Sequence, residues 1–416
     1  MAVVGKTLVP ALLGAAALTL MALPGQAQVK IAYIDPLSGA MAPIGEGGVK
    51  HFNFMIDRIN AKGGVNGQKL ELVTYDNKLS PQESIVAAQK AIDAGIRIIT
   101  QGNGSGVAAA LIDFVNKHNE RNPGKEVVYL NYAAVDPAFT NDKCSYWHFR
   151  WDAHADVKMA ALTSYMKDNS KIKKVYLINQ DYSFGQAVRK SATEMLKAKR
   201  PDIQIVGDEL HPLAKVTDFS PYVAKIKASG ADSVITGNWG SDIALLLKAA
   251  ADAGLQVDWY TYYAGGAGGP TAIKQTGLKD RVYAIVEGGP NHMEGGNQAF
   301  EEEFRKKANM GVWYPRVRNQ MEMLARAMNE AKSNDPKVFA EKLRGMKYTN
   351  IYGSATYMRA EDHQFFQDMF IEVFTPIAEA KLKYDEEGTG WGWKTAATVK
   401  MADTDVPTTC KMAKPS

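Results

Sequence analysis

Short apolar runs alternate along the chain with longer segments in which apolar residues recur every three or four positions. The first pattern is typical of buried β-strands, and the second of helices that pack one face against a core. In the first half of the chain it predicts strands at 29–34, 69–76, 96–100 and 126–132. After Arg150 it predicts strands at 173–179, 203–208, 232–237 and 257–262, separated by helices at about 153–168, 183–199, 219–229 and 239–253. Repeated strand and helix pairs of this kind build parallel sheets.

The C-terminal part of the chain has a different pattern. A helical stretch covers about 297–344, and a strand-rich segment covers 348–374. That segment is too short to form a lobe of its own, so we expect it to complete the two sheets. The length of 416 residues allows two or three domains. We therefore predict an α/β fold of two doubly wound, parallel-sheet lobes whose short connections act as a hinge.

The first 27 residues differ from the rest of the chain. They carry one charge, Lys6, and an apolar stretch from Leu8 to Leu23 that is followed by small residues. This pattern predicts a secretory signal peptide that is cleaved near Ala27–Gln28. A membrane anchor is the alternative, but the small residues after the apolar stretch favour cleavage. No later apolar run approaches the roughly 18 residues of a membrane span, so we expect a soluble, exported protein.

Export affects the interpretation of the two cysteines, Cys144 and Cys410. In an oxidising compartment we expect them to form a disulfide, because no third cysteine competes. The bond would close a loop of roughly 265 residues and stabilise the fold by roughly 5 kcal/mol on chain-entropy grounds. It would hold the tail at 401–416 against the body of the protein. The alternative is a pair of unrelated buried thiols.

Composition and motifs exclude several classes of function. The 49 basic and 45 acidic residues are interspersed, which is not typical of a nucleic-acid-binding protein. The glycines at 102, 104 and 106 follow a predicted strand, but their spacing departs from the dinucleotide-binding fingerprint and no ribose-binding acid follows. The seven histidines show no metal-binding spacing, and no nucleophile–base pair is evident. We therefore expect no metal, no cofactor and no catalysis.

The loops that follow the predicted strands hold the candidate ligand-binding residues, because ligands of open parallel sheets bind beyond the carboxyl ends of the strands. These loops are rich in small residues, hydroxyl groups and aromatic rings. The candidates of the first half are Ser38, Asn103, Ser105, Gly106, Tyr132, Ala133 and Ala134. Those of the second half are Asp181, Tyr182, Phe184, Trp239, Tyr263, Ala264 and Gly265. Ordinary turn chemistry also explains the glycines and serines, so the aromatic residues are the more informative part of this set.

Several segments are similar to one known family. They are Gly-Gly-Val-Asn-Gly at 63–67 before a strand that ends in Tyr-Asp, Asp-Tyr-Ser-Phe-Gly at 181–185, Phe-Ser-Pro-Tyr-Val-Ala-Lys-Ile-Lys at 219–227, and Ala-Ala-Asp-Ala-Gly-Leu at 250–255. With these segments the chain resembles the periplasmic solute-binding proteins of branched-chain amino acid ABC importers, the leucine/isoleucine/valine-binding family. The resemblance extends over nearly all of residues 29–375.

The resemblance implies a type I periplasmic binding protein, with two lobes joined by a three-segment hinge and a small-molecule ligand held between them. The implied N-terminal lobe is 28–148 plus 285–346, and the implied C-terminal lobe is 149–284 plus 347–400. A monomer would deliver its ligand unchanged to membrane ABC permease subunits. A soluble ligand-sensing subunit of a receptor and, less favoured, an exported enzyme are the alternatives.

The resemblance also implies how a ligand would be held. Family members bind an amino-acid carboxylate with a serine and backbone N–H groups, which are matched here by Ser105 and Gly106. A threonine of many relatives is replaced by Val135, and the acid that binds the α-ammonium is replaced by Gly265, unless Asp181 turns inward. We therefore expect a carboxylate with a flat or apolar body and no free α-amine, such as an aromatic acid. A branched-chain amino acid remains the alternative.

Overall fold

The computed structural model describes residues 1–3, 5 and 28–415 of the chain. The predicted signal peptide therefore falls almost entirely outside the described residues. Within the described ranges, no helix has both the length and the apolar character needed to cross a membrane.

The first lobe is built on a five-stranded parallel sheet. Its strands are β1 (Val29–Asp35), β2 (Leu70–Asp76), β3 (Ile98–Gln101), β4 (Val128–Asn131) and β5 (His148–Arg150), in the order β2-β1-β3-β4-β5. The intervening helices are α1 (Ala42–Ala61), α2 (Pro81–Asp93) and α3 (Ser105–Arg121). Helix α2 begins with a capped first turn, because the Ser80 hydroxyl accepts a hydrogen bond from the N–H of Glu83 at 3.3 Å.

The second lobe repeats this alternation of helices and strands. Its helices are α4 (Ala155–Met166), α5 (Ser183–Lys199), α6 (Ser220–Ser229), α7 (Ser241–Asp252) and α8 (Gly269–Thr276). Its strands are β6 (Lys174–Gln180), β7 (Gln204–His211), β8 (Ser233–Thr236), β9 (Asp258–Thr261) and β10 (Val282–Val286), all parallel. The predicted strands and helices of this half are therefore confirmed to within a few residues, and β10 is an additional strand.

The helical stretch after the second lobe returns to the first. It consists of α9 (Asn297–Ala308), α10 (Pro315–Ala331) and α11 (Pro336–Leu343). Helices α9 and α10 both pack against α1 of the first lobe. The chain therefore crosses between the lobes after β5 and again after β10.

The C-terminal strands do not complete both sheets as the sequence predicts. Strands β11 (Lys347–Thr349), β12 (Ala355–Met358) and β13 (Phe365–Phe366) form a separate antiparallel sheet. Strands β14 (Met369–Pro376) and β15 (Trp391–Val399), with the short α12 (Ile377–Ala380) between them, join only the second sheet, in the order β15-β14-β10-β9-β8-β6-β7. Both run antiparallel to their neighbours, because the chain enters β14 from the hinge side and turns back into β15. This return is the third crossing, and the prediction of two α/β lobes with a three-segment hinge is confirmed.

The predicted disulfide is also present. Cys144 and Cys410 are bonded, with their Cα atoms 5.7 Å apart. The same part of the tail is held by hydrogen bonds, since the Thr408 hydroxyl donates to the Thr140 carbonyl at 2.6 Å. The tail is thereby attached to the segment that leads into β5 of the first lobe.

Candidate ligand-binding cleft

A cavity of about 90 Å³ lies between the lobes, at the carboxyl ends of the parallel strands. A single water needs about 10–15 Å³, so the cavity has room for a small organic molecule. At its mouth, Met41 and Ile44 of the first lobe approach Gly240 and Gly266 of the second. The two lobes are therefore closed around the cavity.

The first-lobe wall presents the N-terminus of α3. The first N–H groups of a helix have no partner within the helix, and together with the helix dipole they attract anions. Ser105 is the first residue of α3 and is 2% exposed, and it lines the cavity. Among the described residues its hydroxyl has no hydrogen-bond partner, so it can donate to an anion beside the helix end.

A buried network beneath this wall fixes the loop that leads into α3. The Asp35 carboxylate accepts hydrogen bonds from the N–H of Asn103 at 2.9 Å and from the hydroxyl of Tyr132 at 2.8 Å. The side-chain amide of Asn103 in turn donates to the Tyr132 hydroxyl at 2.9 Å. Burial raises the pKa of Asp35 to about 7, and these hydrogen bonds oppose the rise. The network therefore positions the loop before Ser105, and of its three members only Asn103 lines the cavity.

The second-lobe wall is aromatic. The ring centroids of Tyr182 and Phe184 are 5.9 Å apart, and those of Phe184 and Tyr263 are 6.0 Å apart. The indole N–H of Trp239 donates to the Tyr182 hydroxyl at 2.8 Å, which fixes both rings. Flat apolar surfaces of this kind suit the body of an aromatic or aliphatic ligand.

A group of four charged residues, which we call the buried charge cluster, adjoins the cavity. Lys158 is paired with Asp152 at 3.0 Å and with Glu287, and Arg316 is paired with the same two carboxylates at 3.2 and 2.8 Å. All four side chains are at most 3% exposed. The cluster also holds an aromatic residue of the wall, because the Tyr263 hydroxyl donates to Asp152 at 3.0 Å.

The two carboxyl groups of the cluster respond differently to these surroundings. Although burial alone would raise it, the cations Lys158 and Arg316 hold the pKa of Glu287 well below its usual range. Burial raises the pKa of Asp152 to about 7, with Arg316 opposing the rise and the negative Glu287 adding to it. When both carboxyl groups are ionised, two cations balance two anions and the cluster has no net charge.

Comparison with known proteins identifies the family. The family model of periplasmic binding proteins matches residues 28–373. The chain belongs to the periplasmic binding protein family. The "Leu/Ile/Val-binding protein homolog 4" of Brucella abortus is 32% identical over 404 residues, covering 93% of both chains. The resemblance to branched-chain amino acid binding proteins is therefore confirmed at the level of the family.

Solved structures agree with this assignment. The closed form of a leucine-, isoleucine-, valine-, threonine- and alanine-binding protein from Brucella ovis is 30% identical, with a TM-score of 0.82, covering 94% of this chain and 100% of that one. A solute-binding protein of an ABC transporter from R. palustris, solved in complex with benzoate, has a TM-score of 0.77 at 18% identity, covering 92% and 100%. The second likeness concerns the fold alone.

Many residues predicted from the sequence of this periplasmic binding protein do meet at the cavity. They are Asn103, Ser105, Ala133, Ala134, Tyr182, Phe184, Trp239, Tyr263 and Gly265. The N–H groups of Ala133 and Ala134 both donate to the side-chain oxygen of Asn131, at 3.1 and 2.8 Å. These two alanines therefore offer contact surface and not backbone donors.

The other predicted residues do not line the cavity. Ser38 is exposed and donates to Asp76 at 2.5 Å, and Asp181 is exposed and accepts from Gln186 at 3.0 Å. Asp181 therefore does not turn inward. The remaining three are Tyr132, which is buried beneath the wall, Gly106, which is exposed on α3, and Ala264, which is buried behind its loop.

Three acids that the sequence analysis does not identify line the cavity. Glu287, Glu372 and Glu386 all line the cavity, although Gly265 does stand where the sequence comparison places it. Burial raises the pKa of Glu372 to about 8. Burial also raises the pKa of Glu386 to about 8, although Arg305 lies 2.9 Å from it. Glu287 follows β10, Glu372 lies on β14 and Glu386 lies in the loop before β15, and the sequence shows no motif at these positions that would reveal them.

Among the residues that the structure describes, no group of three or more His, Cys, Asp or Glu side chains is arranged to hold a metal ion.

Proposed function

We propose that this protein is the substrate-binding component of an ABC importer. It captures a small carboxylate, amino-acid-like or aromatic, between its lobes and delivers it chemically unchanged to membrane permease subunits. Membership of the periplasmic binding protein family supports the class of function. The relatives named for leucine, isoleucine and valine support the class of ligand, and the neighbour in complex with benzoate is an example of an aromatic carboxylate bound by this fold.

One observation carries the ligand assignment. A closed cavity has the N-terminus of α3 on one side, with the hydroxyl of Ser105 available, and an aromatic wall on the other. A carboxylate would take hydrogen bonds from Ser105 and the first N–H groups of α3. The body of the ligand would lie against Phe184 and Trp239.

Aromatic carboxylates are favoured over branched-chain amino acids because of the state of Glu287. The four-residue buried charge cluster already pairs both oxygens of this carboxylate, one with Lys158 and the other with Arg316. An α-ammonium beside it would have to displace a cation that is itself buried. Leaving a buried charge unpaired costs several kcal/mol, so a ligand without an α-amine avoids that penalty.

Transport follows from closure of the two lobes. The open form exposes both walls, and a ligand that contacts both shifts the population to the closed form. The surface of the closed form then serves for recognition by the permease. We further propose that the chain is exported to the periplasm after cleavage near Ala27–Gln28 and acts as a monomer.

Calorimetric titration of the exported protein tests this proposal. The ligands are benzoate, leucine, isoleucine and valine, and the variants are Ser105→Ala and, as a matched control outside the cavity, Ser38→Ala. We expect at least one carboxylate to bind, to be recovered unaltered by mass spectrometry, and to lose about tenfold or more in affinity in Ser105→Ala only, since hydrogen bonds to charged groups contribute about 1.5–3 kcal/mol. Failure of every carboxylate to bind, or equal affinities in both variants, would refute the proposal.

A further inference from the structure

Glu372 is a buried carboxyl that faces the cavity from the second lobe. It lies on β14, opposite Ala284 of the antiparallel neighbour β10. Its side chain lines the cavity, and the residue is 2% exposed. The position belongs to the C-terminal strands and not to the loops that the sequence analysis identified.

Glu372 differs from the other buried acids around the cavity because nothing pairs with it. Its Oε1 atom has no hydrogen-bond partner, and among the described residues it forms no ion pair. Glu287 is paired with Lys158 and Arg316, and Glu386 with Arg305. A buried polar group without a partner is unusual and destabilising, which points to a partner that comes from outside the chain.

The backbone beside Glu372 is shaped to admit its carboxyl. A Cβ atom on Gly289 would lie 2.6 Å from Oε2 and closer still to Oε1, so a side chain at that position would push the carboxyl away. The carbonyl of Gly289 is fixed by a hydrogen bond from the side-chain amide of Asn297 at 3.0 Å. Burial raises the pKa of Glu372 to about 8, so near neutral pH its carboxyl group can both accept and donate a hydrogen bond.

We propose that Glu372 is a specificity-determining residue that receives a hydrogen-bond donor, a hydroxyl or an amine, at the end of the ligand remote from its carboxylate. The inference rests on the proposed function. Ser105 stands on the first lobe and Glu372 on the second-lobe sheet, so the two residues meet different parts of one bridging ligand. The ligand class is therefore a small carboxylate with a second polar group, and an unsubstituted carboxylate leaves Glu372 unpaired.

Matched ligand pairs provide the test. The probes are benzoate against 3-hydroxybenzoate, 4-hydroxybenzoate and 4-aminobenzoate, and the readout is the ratio of dissociation constants within each pair. This ratio is internal to each variant, so a general loss of stability does not change it. In the unsubstituted protein we expect at least one substituted probe to bind about tenfold or more tightly than benzoate.

The variants separate the contact from a structural role. Glu372→Leu should bring the ratio close to one, whereas Glu372→Gln, whose amide oxygen still accepts a hydrogen bond, should keep most of it. Gly289→Ala should also lower the ratio, which gives a second perturbation if Glu372→Leu folds poorly. Glu126→Gln is the control, because that buried carboxyl pairs with Arg97 and lies outside the cavity, and it should leave the ratio unchanged.

Each outcome separates this inference from the proposed function. If no carboxylate binds, both fall. If the probes bind and depend on Ser105, but the ratio is near one or survives in Glu372→Leu, the inference is overturned and the proposed function stands. The compound 4-methylpentanoate is leucine without its α-amine. If Glu372 governs a preference for leucine over 4-methylpentanoate, the donor that Glu372 receives is the α-amine beside the carboxylate, and the inference is overturned as well.

Discussion

The buried charge cluster gives the sharpest stability prediction. Lys158 is 1% exposed and is the only cation besides Arg316 that, among the described residues, pairs with Asp152 and Glu287. The substitution Lys158→Met replaces the lysine by an unbranched side chain of similar length that carries no charge. It leaves two buried carboxyl groups with a single cation between them.

The expected cost follows from the burial of the cluster. Removing one partner of a buried ion pair destabilises a protein by about 3–5 kcal/mol, because the remaining charge is left in a poorly solvated site. Lys248→Met is the matched control. Lys248 pairs with Asp252 at 2.8 Å on α7, but both side chains are more than half exposed, 61% and 65%. An exposed pair contributes about 0–1 kcal/mol, so the two substitutions should differ severalfold.

Urea unfolding without ligand measures both effects, and a double substitution identifies their origin. In Lys158→Met with Glu287→Gln, the remaining Arg316 and Asp152 again balance in charge. The double variant should therefore be more stable than the sum of the two single effects predicts, by about 1 kcal/mol or more. If Lys158→Met costs no more than Lys248→Met, or if the two single effects simply add, the electrostatic account of the cluster is wrong.

Three further predictions concern other parts of the fold. Burial lowers the pKa of His51 to about 3, so as the pH falls His51 is protonated in the unfolded chain before it is protonated in the folded protein. Urea titration should therefore show that the free energy of unfolding drops between pH 8 and pH 5 by about 2 kcal/mol more than it does in a His51→Gln variant. Replacing Cys144 and Cys410 by serine should cost about 2–5 kcal/mol in the same assay, and reduction of the unsubstituted protein should give a matching loss. Gly240→Ala should weaken ligand binding in calorimetry, because φ is +60° at this position and the new Cβ would overlap Met41 of the other lobe. A second substitution, Met41→Ala, should recover part of the affinity. Unchanged affinity in Gly240→Ala would contradict the closed geometry.

The regular part of the fold is largely visible in the sequence. Helix 183–199 is predicted at the bounds that the structure gives, because its apolar face is periodic and it begins at a polar turn. Strand β15 is not predicted, because its sequence is not a continuous apolar run and its assignment depends on pairing with β14. Strand β10 is also missed, although its five residues are all apolar, because no helix follows it directly to complete the strand–helix alternation. The pattern of apolar residues therefore identifies a helix or strand that has its own periodicity. It does not identify a strand whose assignment depends mainly on pairing with a neighbouring strand.

The candidate site likewise contains residues that the sequence predicts and residues that it does not. Loops after parallel strands can be predicted to converge, and this reasoning places Ser105, Tyr182 and Trp239 at the cavity. It misplaces Ser38, which follows β1 but turns outward to Asp76. It cannot find Lys158 or Glu372, because a charged residue on a helix or strand is exposed in most proteins. Their burial depends on contacts with segments more than 80 residues away in the chain, such as Glu287.

The four charges of the cluster come from four different segments of the chain. Asp152 lies on the first crossing and Glu287 on the second, while Lys158 comes from second-lobe helix α4 and Arg316 from α10, which packs on the first lobe. The cluster therefore ties the crossings to both lobes. When Asp152 and Glu287 are both ionised, the four charges cancel and the cluster presents no net charge to a ligand beside it. Attraction of a carboxylate is thus left to the dipole of α3 with Ser105, while Glu287, already paired with two cations, offers no free partner to an ammonium group. Substitutions at the helix end should therefore weaken carboxylate binding, and substitutions in the cluster should lower stability.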